Sequence, residues 1–510
     1  MLGSVLLVLL GGVLVSWLIY VHEHHTRIDR LTRNWPQPRS WPIMGHLHLM
    51  IPLAGSEFFK HGSKLIFTFI KDHRVKLWLG HRLYFFDCNP KDIQALCSAQ
   101  QLLEKTADYR FFENWLCEGI FTSRVEKWTH RRKMLSPSFN SNSIREFAKI
   151  FERQARILVF KLGEVAASGE PVDFFRLIAT YTLDTICETA LGVSVGAQKS
   201  NNCEYFDYVR EALHIVDCRI KNLFYRNEII YKFTALAARE RRVVKALHNF
   251  TDDIIKKRCE ELKSDQANRN TNDTVNPETE QRRSLSYLDT LLHATAPDGK
   301  PLKVTDIREE VDTIIYGGFD LTAATIKFFL YRMTLHMDYQ KRCREEIWQV
   351  CGRDSNADIT IEQMRQLIYL EWCLKEILRL YPSAPIVARH ARADCVINDF
   401  CIPAGSNVII SPLYMGRCKE FFPDPLTFNP ERWSPDAEPK IEPSTFIPFM
   451  TGGRSCIGQR YAMVMMKLVL AHCLRNFEFE AASETDREAR LTFVVTLHTM
   501  KPVFLRVKAV

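Results

Sequence analysis

Five long stretches of this 510-residue chain carry apolar residues at helical spacing, over 143–168, 172–192, 236–262, 305–336 and 457–475. Strand-like runs are short by comparison. Val75–Leu79 and Leu83–Asp87 flank Gly80-His81 and predict a hairpin, and further strands are expected near 395–410 and 490–508. Residues 263–285 are polar and predict a mobile surface loop. No internal repeat is apparent. The pattern predicts one large, mainly α domain with a small β part.

Composition narrows the class. Hydrophobic residues are 46% and charged residues 25%, the proportions of an ordinary globular protein, so wholesale disorder is excluded. The net charge of +8 is mild at this length and forms no long basic run, so no nucleic-acid partner is expected. The 15 cysteines follow no disulfide framework and make no CxxC pair, which points to a reducing compartment.

Met1–Val21 holds no charged residue and matches one bilayer span. Arg27, Arg30 and Arg33 follow it, which by the positive-inside rule puts the rest of the chain in the cytosol. A cleaved signal peptide fits less well, because no basic n-region and no AxA-like site flank the stretch. The expectation is an uncleaved anchor over 1–21, a juxtamembrane and proline-rich hinge over 22–50, and a catalytic domain over 51–510. Asn249 and Asn272 begin glycosylation sequons that a cytosolic domain leaves unmodified. His22–His25 reads as spacer. Pro36, Pro38 and Pro42 stiffen the connector that follows.

The segment 449–458, FMTGGRSCIG, carries the sharpest chemistry. Gly452, Gly453 and Gly458 permit tight turns around Cys456, and a helix begins just after it. A sulfur at a helix N-terminus tends toward thiolate, the strong axial donor that a haem iron needs. Two further patterns are weak alone: Glu376–Arg379 as ExxR on one helix, and Pro430-Glu431-Arg432-Trp433 in an irregular stretch.

Taken together and in this order, these motifs resemble the cytochrome P-450 superfamily of haem-thiolate monooxygenases, across essentially the whole chain after the anchor. The resemblance implies haem b ligated by Cys456, with Phe449, Arg454 and Gly458 in the same cofactor loop. It implies that Glu376, Arg379 and Arg432 form a structural triad that locks that loop. Trp128 and Arg132 match the WxxxR helix and, with Arg389 and Arg454, are expected at the haem propionates. Arg131 and Lys133 on the same helix fit either a basic face for an acidic electron donor or a merely solvated one. The stretches Asp184–Gln198 and Glu310–Thr322 resemble the family-four clan, which includes fatty-acid ω-hydroxylases and many insect microsomal members.

Two departures stand out. The oxygen-activation segment of the superfamily reads [AG]Gx[DE]T. Here Gly317, Gly318, Phe319 and Asp320 fit it, but Leu321 stands where a threonine is expected. Asp320 and the neighbouring Thr322 are the catalytic candidates, although one residue turns a helix by about 100° and aims Thr322 elsewhere. Gly317 replaces a glutamate that esterifies the haem in many family-four enzymes, so the haem is expected to be non-covalent.

The resemblance also places Phe111, Phe112, Trp115, Phe319, Ile386, Val387 and Thr496 at a substrate pocket. It implies a lipophilic substrate: a fatty acid, terpenoid, steroid-like molecule or xenobiotic. Electrons would come from NADPH through a separate reductase, with cytochrome b5 as a second candidate donor, at the endoplasmic reticulum membrane. Two other readings fit parts of the sequence. Leu321 motivates an isomerase, dehydratase or peroxygenase that uses peroxides without a reductase. A non-catalytic haem or lipid-binding membrane protein is the second.

Overall fold

The computed structural model describes residues 2–41, 45–46, 49, 68–80, 82–200, 204–222, 224–270, 286–296, 298–482 and 490–510. These residues are mainly helical with small sheets, as the periodicities predict, and they group into two compact units.

The smaller unit comprises 1–107, 386–411 and 450–454. It begins with α1 (Leu2–Leu31), which carries the uncharged opening stretch and continues through His22–His25. The side chains of residues 1–10, 14, 17, 18, 21, 22 and 24 lie outside the described ones. No helix among the described residues is long and apolar enough to cross a membrane. The end of α1 packs inward. His25 stacks on Trp78, with ring centroids 3.9 Å apart, and Lys76 Nζ donates to Asp29 at 2.9 Å and to Thr32 at 2.8 Å. The proline-rich connector is non-helical over 36–40 and is pinned by Trp35, whose indole donates to the Cys401 carbonyl at 3.1 Å. Pro42 lies outside the described residues.

The expected hairpin is present as β1 (Arg74–Leu79) against β2 (Arg82–Asp87), antiparallel with Val75 opposite Phe86. Two later strands complete that sheet, β4 (Val387–His390) and β7 (Asn407–Ile410), in the order β1-β2-β7-β4. A separate ribbon pairs β5 (Cys395–Ile397) with β6 (Phe400–Ile402).

The larger unit comprises 108–385, 412–449 and 455–510. Its helices include α2 (Val125–Leu135), α3 (Ser141–Ser168), α4 (Phe174–Ala190), α5 (Glu204–Lys221), α6 (Ala235–Asn270), α7 (Val304–Leu335), α8 (Ile368–Leu380) and α9 (Gln459–Asn476). Local chemistry sets their ends. Asn140 caps α3 by accepting from the N–H groups of Asn142 and Ser143, and Gly169 closes it at φ +70°. Asp173 caps α4 and ends the short strand β3 (Val172–Asp173), so the helix expected from residue 172 starts two residues later. The polar stretch expected to be a loop is helical as far as Asn270, because α6 runs on through it, and 271–285 lie outside the described residues.

The core lies where α7 meets α4 and where α3 meets α9. Gly318 makes the first contact possible: a Cβ there would sit 2.5 Å from Ile186. A buried relay ties the second, with His472 2.8 Å from Glu152 and Arg475 3.1 Å from His472. The C-terminal strand β11 (Phe504–Ala509) lies between β3 and β8 (Phe477–Ala481) and pairs with both, while β9 (Leu491–Val494) and β10 (Thr496–Thr499) form a hairpin.

Candidate active site

The glycine-rich loop is shaped by backbone needs. Gly452 sits at φ +73°, and a Cβ there would lie 2.1 Å from the Cys97 carbonyl oxygen, so the position excludes a side chain twice over. The Cys456 N–H donates to the Phe449 carbonyl at 2.9 Å, and Gly458 begins α9. Arg132, on α2, donates to the Ser455 carbonyl at 2.9 Å, which fixes that helix to the loop beside the sulfur.

Among the described cysteines, Cys456 alone is exposed. Yet burial pushes its thiol up, against the Gly458 N–H and the Arg132 guanidinium, which pull it down. A sulfur that is reachable but set deep in protein lines a recess, not an outer surface. Burial therefore opposes the thiolate that the helix terminus favours. Cys418, by contrast, is buried.

Trp128 is buried on α2. Arg131, expected on a basic or merely solvated face, is buried instead. It meets Asp306 at 3.1 Å, Glu309 at 3.7 Å and Glu310 at 3.8 Å. Lys133 is exposed. The helical period put Arg131 and Arg132 on different faces, and only the packing decided which one met acids.

In the smaller unit, Arg389 is buried on β4, and Arg454 donates to the Leu103 carbonyl at 3.1 Å. Lys105 joins them. Burial pushes its amine well below the ordinary range, and the charges of Arg389 and Arg454 push it further. No local motif marks Lys105. Only the fold crowds these three basic groups, and an anionic group such as a carboxylate would favour the charged form of Lys105.

The triad region is dense. Arg379 donates to both carboxylate oxygens of Glu376, at 2.7 and 2.8 Å, and Arg432 adds a bond at 3.0 Å. The indole of Trp433 and the N–H of Asn429 also donate to Glu376, each at 3.0 Å. Arg379 spends its remaining donors on the carbonyls of Gly416, Pro425 and Thr427. The charges are paired and the lone pairs filled, the condition under which burying ions is tolerable.

Mid-way along α7 the two sides of the helix differ. Phe319, Asp320 and Thr322 are buried. The Thr322 hydroxyl donates to helix carbonyls, those of Gly318 and Phe319. It does not stand in for the hydroxyl missing at Leu321, because one residue of rotation carries it to the closed side. Asp320 accepts from Thr496 at 2.7 Å, and burial raises its carboxyl. His498 lies 4.0 Å from Asp320, but burial holds it well below its ordinary value, so it is neutral and forms no ion pair. Lys327, two turns along, lies over the rings of Phe175 and Phe328, with its amine pushed down to about 8 by burial. On the other side, Gly317 and Leu321 are part-exposed, and a Cβ on Gly317 would meet nothing within 4 Å.

The expected pocket residues are tightly packed. Phe111 lies under the guanidinium of Arg219, 4.8 Å from the ring centroid, and Phe112 packs on Phe121. Trp115 meets Tyr316, Phe319 meets Tyr205 and Phe206, and Thr496 is spent on Asp320. In the smaller unit Val387 is buried and Ile386 part-exposed.

Comparison with known proteins agrees with this chemistry. The family model described as Cytochrome P450 matches residues 36–506. The chain is 58% identical over 492 residues to a Drosophila melanogaster protein named probable cytochrome P450 312a1, covering 96% of each chain. It is 36% identical to cytochrome P450 4d1 of Drosophila melanogaster, over 98% of each. It is 33% identical to human cytochrome P450 4V2, over 94% of this chain and 92% of that one.

Proposed function

The chain belongs to the cytochrome P450 family of haem b-binding, cysteine-thiolate monooxygenases, and on that premise we propose that it is a membrane-bound enzyme inserting one oxygen atom from O2 into a lipophilic substrate. The carrying observation is Cys456: reachable, deeply set, and flanked by the Gly458 N–H and Arg132. The residues fit the cofactor. In the larger unit Cys456 would supply the sulfur, with Phe449 and Gly458 in its loop, and Trp128 and Arg132 would serve the propionates; Arg389, Arg454 and Lys105 are the basic groups that the smaller unit would offer to a carboxylate. When bound, the haem supplies the oxidising chemistry, and the thiolate gives it electron density. Asp320 governs proton supply. Glu376, Arg379 and Arg432 position the loop without touching the reaction. Gly317 offers no carboxylate, so the haem stays non-covalent.

Electrons come from NADPH-cytochrome P-450 reductase, with cytochrome b5 as a second donor. The substrate belongs to the fatty acid, terpenoid, steroid-like or xenobiotic classes. The protein sits at the endoplasmic reticulum membrane, anchored by residues 1–21, with 51–510 as its cytosolic catalytic domain. The exposed side chains of Phe224, Ile229, Ile230 and Phe233, clustered within ten residues of sequence, support contact with a lipid surface.

The test is reconstitution with reductase and NADPH, following oxygen uptake beside product formation on dodecanoic acid and farnesol. Uptake matched by hydroxylated product is expected. Turnover of added lipid hydroperoxide, with no reductase-dependent uptake, would favour a rearranging enzyme instead. The reduced, carbon-monoxide-bound spectrum should show the thiolate Soret shift, lost in Cys456→Ala and kept in Cys418→Ala. Its absence from the native protein would exclude Cys456 as ligand.

A further inference from the structure

Leu321 leaves the open side of α7 without the hydroxyl expected there, yet two other hydroxyls reach its carbonyl. Ser383 Oγ donates to the Leu321 oxygen at 2.8 Å and Thr325 Oγ1 at 3.1 Å, and the two hydroxyls are 2.7 Å apart. Leu321 lies inside a continuous helix, so its carbonyl also takes the backbone N–H one turn on. A carbonyl oxygen has two lone pairs, and here three donors converge on it. One hydroxyl is surplus. If Thr325 donates to Ser383 Oγ, the Leu321 carbonyl keeps its backbone N–H and the Ser383 proton is free to turn outward.

Ser383 is also the member that can be reached. Thr325 is buried, whereas Ser383 is part-exposed, like Leu321 and Gly317. Gly317, Leu321 and Thr325 are spaced by four and form one stripe on α7. The pair therefore stands at the end of the open stripe that begins over Gly317. Its placement is firm. Pro382 and Pro385 restrict the backbone on either side of Ser383, and Leu497 N–H donates to the Ser383 carbonyl at 3.0 Å.

We propose that Ser383, backed by Thr325, is the positioning residue that serves the open face of α7 in place of a hydroxyl at 321. It holds a water there and passes protons along it. A proton leaving Ser383 Oγ toward one water is replaced by a proton from the next water, so the hydroxyl ends neutral, and Thr325 Oγ1 holds Ser383 in place without giving up its own proton. The inference rests on the monooxygenase reading above. It departs from that reading in taking proton delivery to the open face from a loop outside the helix.

The test compares native protein with Ser383→Ala, Ser383→Thr, and Ser383→Ala combined with Leu321→Thr. Two quantities are read: product formed per O2 consumed, and the infrared stretch of carbon monoxide on the reduced haem, which responds to nearby hydroxyl donors. Ser383→Ala should lower product per O2 by about threefold to tenfold, the worth of one neutral hydrogen bond, and should move the infrared band. Ser383→Thr should restore both, and so should the added Leu321→Thr. An unmoved band in Ser383→Ala overturns the proposal, as does a loss that neither hydroxyl restores. Carbon monoxide binding needs only the haem-thiolate centre, so the band decides even if neither substrate is turned over. A missing Soret shift in the native protein would instead fail the parent reading.

Discussion

Two buried carboxylates sit in opposite circumstances. Glu376 accepts from two guanidiniums, an indole and a backbone N–H, and the surplus donors of Arg379 find carbonyls. Asp320 accepts from one hydroxyl, next to a neutral histidine and a lysine that does not reach it. The first region has one low-energy arrangement and acts as a fixed strut. The second holds groups that burial makes costly to charge. The contrast separates a region with every charge paired from one whose buried groups resist charging.

The comparison breaks most visibly at Glu376. Glu376→Ala leaves two guanidiniums facing each other at one buried site, and stability should fall by about 3–5 kcal/mol, read by urea unfolding. A loss below about 1 kcal/mol, typical of an exposed pair, would mean that the triad is not a strut.

Lys327 tests the other region. Its amine lies near 8 in the fold against an ordinary 10.5. Between these values the unfolded chain binds more protons, so stability rises with pH from about 8 to about 10.5 and the strain is full below 8. Lys327→Met should therefore stabilise by roughly 3 kcal/mol at pH 7, and the gain should shrink toward pH 10.5. A gain that does not change with pH would mean the effect is packing, not charge.

The adjacent glycines sharpen the picture on a smaller scale. Gly318→Ala drives a methyl into Ile186, including its Cβ, and should cost about 1–3 kcal/mol. Gly317→Ala meets open space and should gain up to about 1 kcal/mol from helix propensity. Equal effects in thermal unfolding would deny that α7 has one closed side and one open side.

Much of this was legible in the chain. The periodicities located the long helices, and Gly80 between alternating runs located the hairpin. Glu376, Arg379 and Arg432 were marked as partners by family pattern, and the carboxylate does meet both guanidiniums. The sequence did not reveal Trp433 and Asn429 on the same carboxylate, the burial of Arg131 among acids, or Lys105 beside Arg389 and Arg454. Each of these depends on residues far apart in sequence that carry no spacing signal. The aromatic residues expected at a pocket show the same limit. Phe319 and Trp115 look alike on paper whether they face a ligand or other rings.

The sequence by itself determined the helices, the turn chemistry around Cys456 and the absence of a hydroxyl at position 321. These follow from local rules: periodicity, φ restrictions and the identity of one side chain. Only the tertiary structure brought the Ser383 hydroxyl to that turn of the helix. Leu321 meets Ser383 across 62 positions of chain, and no propensity or motif reports a contact that exists only once α7 and the loop after α8 have packed.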